Sequence, residues 1–327
     1  MKWGIERSKV LTRMSELPVC GRRIRQQYDN YLRFKYDINR RWGANLASSR
    51  SFRRRPPNLN ALQQRLVEEL YTAGFATCHF DELFQDQGLW AILSAQVAEF
   101  SSSDDVQCVV RNRQQEFGKS RDVQAISHYI LTKYSQDSKP LIRADNMLLG
   151  LGIQPLLLDV VNSYLGLWSK LIYFDMWYTL VLDTDTRFLS QRWHRDPEDR
   201  RKIRTFLYFS NVDVNAGAME YLAGSHVGGP YEHVYPWQDP LGIPYPPDGE
   251  VERLIPASQH VLLQGPPGTL IFCDTAGFHR GGICRTSPRI LATSAFVSPA
   301  SLHRRRYQIE ESVREARWSA PARYAVS

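Results

Sequence analysis

"KLIYFDMWYTLVL", residues 170–182, divides the chain into two halves of different character. It is dense in aromatic and β-branched side chains, which suit a pleated, half-buried surface, and it reads as a strand. Downstream, "KIRTFLYFSNV" (202–212), "GTLIFCDT" (268–275) and "PRILATSAFVS" (288–298) alternate or run apolar in the same way. Turn clusters such as "GPPG" (265–268) separate them. Short strands punctuated by turns predict a sandwich or jelly roll. Upstream the pattern is helical. "SFRRRPPNLN" (51–60) is a connector, because Pro56 and Pro57 block a helix while Asn58 or Asn60 can cap the next one. Leu62, Leu66, Val67, Leu70 and Tyr71 then recur at helical spacing up to Gly74. "GFATCHF" (74–80) reads as a short strand, and residues 83–100 and 121–134 carry apolar positions three and four apart. The expected fold class is α+β, with helices buttressing a β-core.

With 327 residues, 43% of them hydrophobic and 23% charged, the chain has the composition of a soluble globular protein with one large domain or two modest ones. Its five cysteines are widely spaced and form no CxxC pair. Neither a disulfide framework nor a structural zinc site is expected, and a reducing, cytoplasmic setting fits. The longest uncharged apolar stretch, 146–158, holds Gly150, Gly152 and Pro155 and is too short for a membrane span. The start of the sequence lacks an apolar signal core. Charge is uneven: residues 1–60 contain 15 Lys/Arg against 4 Asp/Glu, and the rest 26 against 30, so the basic character of the chain belongs to this segment. It suits an anionic partner such as lipid headgroups or a phosphorylated carrier. No nucleic-acid-binding motif accompanies it, which disfavours nucleic acid, and a solvated Arg-rich face is the plainer reading. The expected organisation is a basic, partly helical arm over 1–57 and a single domain over 58–303, helical to 168 with its β-core at about 170–300. A tail follows over 304–327, with "LHRRRYQIEESVREARW" (302–318) ending in a short helix.

Chemistry concentrates at "QRWHRDPEDRR" (191–201). At strand spacing His194 and Asp196 point to one face, so an imidazole and a carboxylate can converge on one ion. A catalytic non-haem iron site needs two His and one carboxylate on one octahedral face. The competing reading is a solvated turn in which Asp196 pairs with Arg192, Arg195 or Arg200. Among the other histidines, His279 follows the strand "GTLIFCDT" and opens "HRGG", whose glycines leave room for backbone near a ligand. Ten residues later Arg289 opens an apolar strand, and an inward-facing guanidinium there needs an anionic partner, for which a bidentate carboxylate is suited.

"WHRD" (193–196), "GAMEYLAGSH" (217–226), "GTLIFCDTAGFHRGG" (268–282) and Arg289, in that order, resemble the phytanoyl-CoA dioxygenase-like family of iron(II)/2-oxoglutarate-dependent oxygenases. The helix ending in "AGF" (73–75) extends the likeness, which spans roughly 60–300. The resemblance implies a double-stranded β-helix (jelly roll, cupin-like) core buttressed by N-terminal helices. It implies Fe(II) held by His194, Asp196 and His279, with 2-oxoglutarate and O2 as cosubstrates and Arg289 on the distal carboxylate. The implied activity is that of a dioxygenase hydroxylating a small or carrier-linked substrate, with release of succinate and CO2. The alternative is a non-catalytic jelly-roll binding protein that keeps the metal motif. Halogenating relatives have a small residue where this chain keeps Asp196, which argues for hydroxylation. Two departures stand out. Many relatives place the arginine eleven residues beyond the distal histidine, with Arg285 the fallback here. Gly281 occupies the position where some relatives carry a hydroxyl; Thr205 or Tyr178 is expected to supply that contact. For substrate selection the candidates are Arg192 beside the iron turn, and Tyr231 and Trp237 in the Pro-rich loop that follows His226.

Overall fold

The expected strand at 170 is the longest strand of the β-core. In the computed structural model, residues 20–124, 126, 128–131, 140–143, 145–237, 245–310 and 318–327 are described. Their strands are β1 (Phe75–His79), β2 (Tyr129–Leu131), β3 (Leu141–Ile142), β4 (Lys170–Thr179), β5 (Ile203–Tyr208), β6 (Met219–Leu222), β7 (His260–Leu263), β8 (Thr269–Cys273), β9 (His279–Arg280), β10 (Arg289–Val297) and β11 (Gln308–Ile309). A six-stranded antiparallel sheet runs β1-β8-β5-β10-β4-β2, and a three-stranded antiparallel sheet runs β7-β6-β9. The two sheets face each other: Phe206, Tyr208, Ile271 and Leu291 of the larger pack against Met219, Tyr221 and Leu263 of the smaller.

The other face of the large sheet meets helices. Leu66 and Leu70 of α3 (Ala61–Ala73) and Leu157, Leu158 and Val161 of α8 (Pro155–Leu165) share one core with Phe174, Leu207, Phe272 and Ala292. β5, β8 and β10 are therefore covered on both sides, which is why their sequences run apolar without clean alternation. In α3, Asn60 accepts from Gln63 N at 2.9 Å while Gln63 Oε1 accepts from Asn60 N at 3.0 Å, a reciprocal cap. Gly74 ends the helix at φ 87°, and a Cβ there would lie 2.3 Å from Tyr221 Oη and 2.7 Å from His226 Nδ1, both buried. Gly74→Ala is expected to cost about 3 kcal/mol, from left-handed strain plus overpacking, read as a lowered urea unfolding midpoint.

Two expectations need correction. The described residues of the helix expected over 121–134 are not helical: α6 (Asp104–Ser120) ends on Arg121 at φ 53°, and Tyr129–Leu131 joins the sheet edge as β2, while 132–134 lie outside the described residues. Val123 and Ile126 are buried with Tyr178 and Leu180, so apolar spacing that mimics a helix serves a turn that plugs the sheet. The helix expected over 83–100 is two, α4 (Phe80–Phe84) and α5 (Gln87–Ser102), split by Gln85 at φ 51°. Where it is described, the basic segment forms helices. Its helices α1 (Cys20–Arg41) and α2 (Ala44–Arg54) are fastened to the core by Tyr36 Oη donating to Asp199 Oδ1 at 2.6 Å and Ser48 Oγ donating to the Trp168 carbonyl at 2.6 Å. Residues 1–19 of that segment, and 311–317 of the expected tail helix, lie outside the described residues. The remaining helices are α7 (Met147–Gly152), α9 (Glu250–Leu254) and α10 (Ala320–Val326). No helix among the described residues is long and apolar enough to cross a membrane.

Candidate metal centre

His194 and His279 lie opposite each other across a backbone bridge, each N–H donating to the other's carbonyl at 3.1 Å. Two residues on, Asp196 N donates to the Thr275 carbonyl at 2.8 Å, extending the pairing. This local β-geometry places both residues of the H-x-D pair on the face that His279 shares. His194 Nε2 is 3.7 Å from Asp196 Oδ1 and His279 Nε2 is 3.8 Å from Asp196 Oδ2. The three donor atoms lie within 4.8 Å of one another, a spacing that small side-chain rotations close onto one divalent ion with bonds of about 2.1 Å.

The tautomers are fixed for ligation. His194 Nδ1 donates to the Arg192 carbonyl at 2.8 Å and His279 Nδ1 to the Gly277 carbonyl at 3.0 Å, because a carbonyl can only accept. Each Nε2 lone pair is thereby turned toward Asp196. Burial, reinforced by neighbouring His194, pushes His279 down to about 3, and burial lowers His194 too, so both imidazoles are neutral ligands at neutral pH. Burial alone would raise Asp196, yet Arg204 and Lys202 hold it well below the usual carboxylate range. Its Oδ2 is buried and accepts no hydrogen bond. A buried carboxylate flanked by two neutral imidazole nitrogens, one near each oxygen, suits a cation.

A ring of charge surrounds Asp196. Lys202 Nζ lies 3.2 Å and Arg204 Nη2 3.5 Å from Asp196 Oδ2, and both cations also pair with buried Glu198. Two carboxylates balance two cations, so this ring is itself neutral.

The same pocket supplies a receptor for an anion. Its walls include Tyr129, Trp177, Ser190, His194, Phe206, Tyr208, Met219, His279 and Arg289, around about 440 Å³ of space counted to the open mouth. Arg289 is 3% exposed; its Nη1 donates to the Gly217 carbonyl and its Nε has no partner. Among the described residues no carboxylate pairs with it. Arg285 is turned away, paired with exposed Asp185.

The hydroxyl candidates Thr205 and Tyr178 are not brought to this pocket. Arg204, Phe206 and Tyr208 of β5 line it, so Thr205 faces the helices, and Trp177 lines it while Tyr178 is buried beneath α5 and α6. A strand's side chains alternate, so a one-residue error in phase moves a residue to the other face. The substrate candidates sit around the pocket rather than in it. Arg192 pairs with Asp248 at 3.2 Å, Tyr231 packs near Trp193 and Val234, and Trp237 Nε1 donates to the Asp196 carbonyl at 3.1 Å from behind. The aromatic of the Pro-rich loop that approaches the centre is Tyr245, its ring 5.8 Å from that of His194. Sequence reasoning missed Tyr129, Trp177 and Ser190; the aromatic density of β4 was the only signal for any of them.

No family model matches the chain, and no curated protein matches it. Among solved structures it is similar to EctD from S. alaskensis with 2-oxoglutarate and 5-hydroxyectoine, at 15% identity over 84% of this chain and 90% of that one, with a TM-score of 0.50. It is also similar to the epimerase SnoN in complex with Fe3+, alpha ketoglutarate and nogalamycin RO, at 14% identity over 73% of this chain and 84% of that one, with a TM-score of 0.49. At such identity the likeness to EctD shows a shared fold, and the chemistry must be argued from the residues of this chain.

Proposed function

We propose that the protein is an iron(II)- and 2-oxoglutarate-dependent oxygenase that hydroxylates a small or carrier-linked substrate, with release of succinate and CO2. The observation that carries this reading is one pocket holding both a buried two-histidine, one-aspartate cluster and a buried guanidinium without a carboxylate partner. The motif order supports the phytanoyl-CoA dioxygenase-like branch and a double-stranded β-helix for the facing sheets.

His194 and His279 would hold the iron through Nε2, and Asp196 through its carboxylate. Arg289 would receive the distal carboxylate of 2-oxoglutarate. Bound iron(II) and 2-oxoglutarate supply the oxidising chemistry, which no side chain of this chain can perform. Trp177, Phe206, Tyr208 and Leu291 line the pocket with largely apolar surface and limit water at the centre. Retention of Asp196 supports hydroxylation, since a third protein ligand occupies the position a halide would need. Residues 26–55 of the basic segment carry 8 Lys/Arg against 2 Asp/Glu and suit an anionic partner such as a carrier. The four cysteines whose side chains are described, Cys78, Cys108, Cys273 and Cys284, are free, which suits a cytoplasmic setting.

With iron(II), ascorbate and a broad substrate panel, the protein is expected to convert 2-oxoglutarate to succinate, and His194→Ala to give only background. Equal succinate from both proteins would refute the enzyme reading; binding of metal and 2-oxoglutarate without turnover would indicate a ligand-binding protein.

A further inference from the structure

His194 and His279 meet at an isolated backbone bridge rather than in a long ladder, and β9 is two residues long. In so short a pairing, side chains on both faces share in setting the register. Antiparallel pairing of His194 with His279 sets Trp193 opposite Arg280, on the face turned away from the metal site. There the Arg280 guanidinium lies 4.2 Å from the centroid of the Trp193 ring. One oxygen fastens both residues: Glu252 Oε1 accepts from Trp193 Nε1 at 2.5 Å and from Arg280 Nη1 at 3.0 Å. Glu252 belongs to α9, at the far end of the Pro-rich loop, and its Oε2 is buried without a hydrogen-bond partner. From the other side Glu220 accepts from Arg280 at 2.7 Å and from Arg187 at 2.8 Å, and Arg187 also donates to the Gly281 carbonyl at 3.1 Å. The two strand segments that carry the histidines are thus cross-linked behind the site by a chain of charge whose shared acceptor is Glu252.

We propose that Glu252 is a positioning residue for the metal centre. By accepting from Trp193 and Arg280 together, it clamps the backbone of both histidines from behind and ties them to the Pro-rich loop. This rests on the reading of His194, Asp196 and His279 as a metal site. Both donors are needed, since a carboxylate bound to one segment alone would not fix its distance to the other.

The test is titration of the metal-free protein with Co(II), followed by visible absorption, which needs neither oxygen nor a cosubstrate. Glu252→Ala is expected to weaken Co(II) binding about tenfold, the effect of losing a partner outside the ligand shell. Glu252→Gln keeps the Oε1 acceptor and is expected to recover most of that loss. In a Trp193→Phe background, which lacks the indole donor, Glu252→Ala is expected to cost clearly less, because the clamp is already open on one side. Glu250→Ala, on the same helix, removes a partner of exposed Arg253 and is expected to leave Co(II) affinity unchanged. A lowered urea midpoint for Glu252→Ala with wild-type Co(II) affinity would mark Glu252 as merely structural and overturn the assignment. Equal weakening by Glu250→Ala, or full additivity of the Trp193 and Glu252 substitutions, overturns it as well and leaves the metal site intact. Failure of the wild type to bind Co(II) removes the metal-site reading and this one with it.

Discussion

Asp196→Ala is expected to abolish iron-dependent succinate formation and to destabilise the fold by about 3–5 kcal/mol, the usual cost of stranding buried charge. The two effects have separate causes. Loss of a ligand from a three-residue centre leaves two imidazoles, and metal affinity should fall by at least about 100-fold, more than loss of an outer partner costs. The stability effect comes from Lys202 and Arg204, which are 0% and 6% exposed and share Asp196 and Glu198 as counterions. Without Asp196, two buried cations are left with one carboxylate. His194→Ala removes a neutral group and should bind metal as poorly while keeping most of the stability. Urea unfolding of the metal-free proteins separates the two. If Asp196→Ala were no less stable than His194→Ala, the ring of charge would not be a stability element.

The candidate ligand cluster was legible because H-x-D and the second histidine are local patterns set by strand spacing and by a glycine-rich turn. Arg289 was legible because a charged residue opening an apolar strand must be explained. The charged surroundings of the H-x-D turn were not legible. "RWHRDPEDRRK" (192–202) reads as a solvated face, yet Arg195, Asp196, Glu198, Asp199 and Lys202 are all buried. Composition cannot reveal that Tyr36, more than 150 residues earlier, donates to Asp199 and covers this turn with α1. Tyr129 was hidden for a related reason. Its short strand follows a helix and carries apolar spacing that suits either state, and only pairing with β4 decides it. The choice of Thr205 and Tyr178 failed on phase. Both strands are buried on both faces, so polarity does not mark which residues look inward.

Arg195→Ala should be among the most damaging substitutions outside the ligands. Strand alternation turns Arg195 away from His194 and Asp196, and the structure puts it at 0% exposure. Burial lowers its guanidinium to about 10, which still leaves it protonated at neutral pH. Among the described residues no carboxylate pairs with it. Its Nη1 donates to the Ser225 carbonyl and to that of Ala276 at 2.6 Å, and its Nη2 to that of Val234 at 2.9 Å; the Phe278 ring lies 4.2 Å away. One side chain thus ties the H-x-D turn to the turn before His279 and to the start of the Pro-rich loop. Alanine would leave three carbonyls without a donor and open a cavity, together costing about 4 kcal/mol. Lysine carries enough donors but concentrates them on one atom, so it should recover only part of that loss. Because Ala276 lies three residues before His279, loosening this tie should also weaken metal binding about 10- to 100-fold in the fraction that remains folded, as loss of a ligand's supporting contacts does. A normal unfolding midpoint for Arg195→Ala, or metal affinity equal to wild type, would show that the backbone pairing of His194 with His279 holds the centre without it.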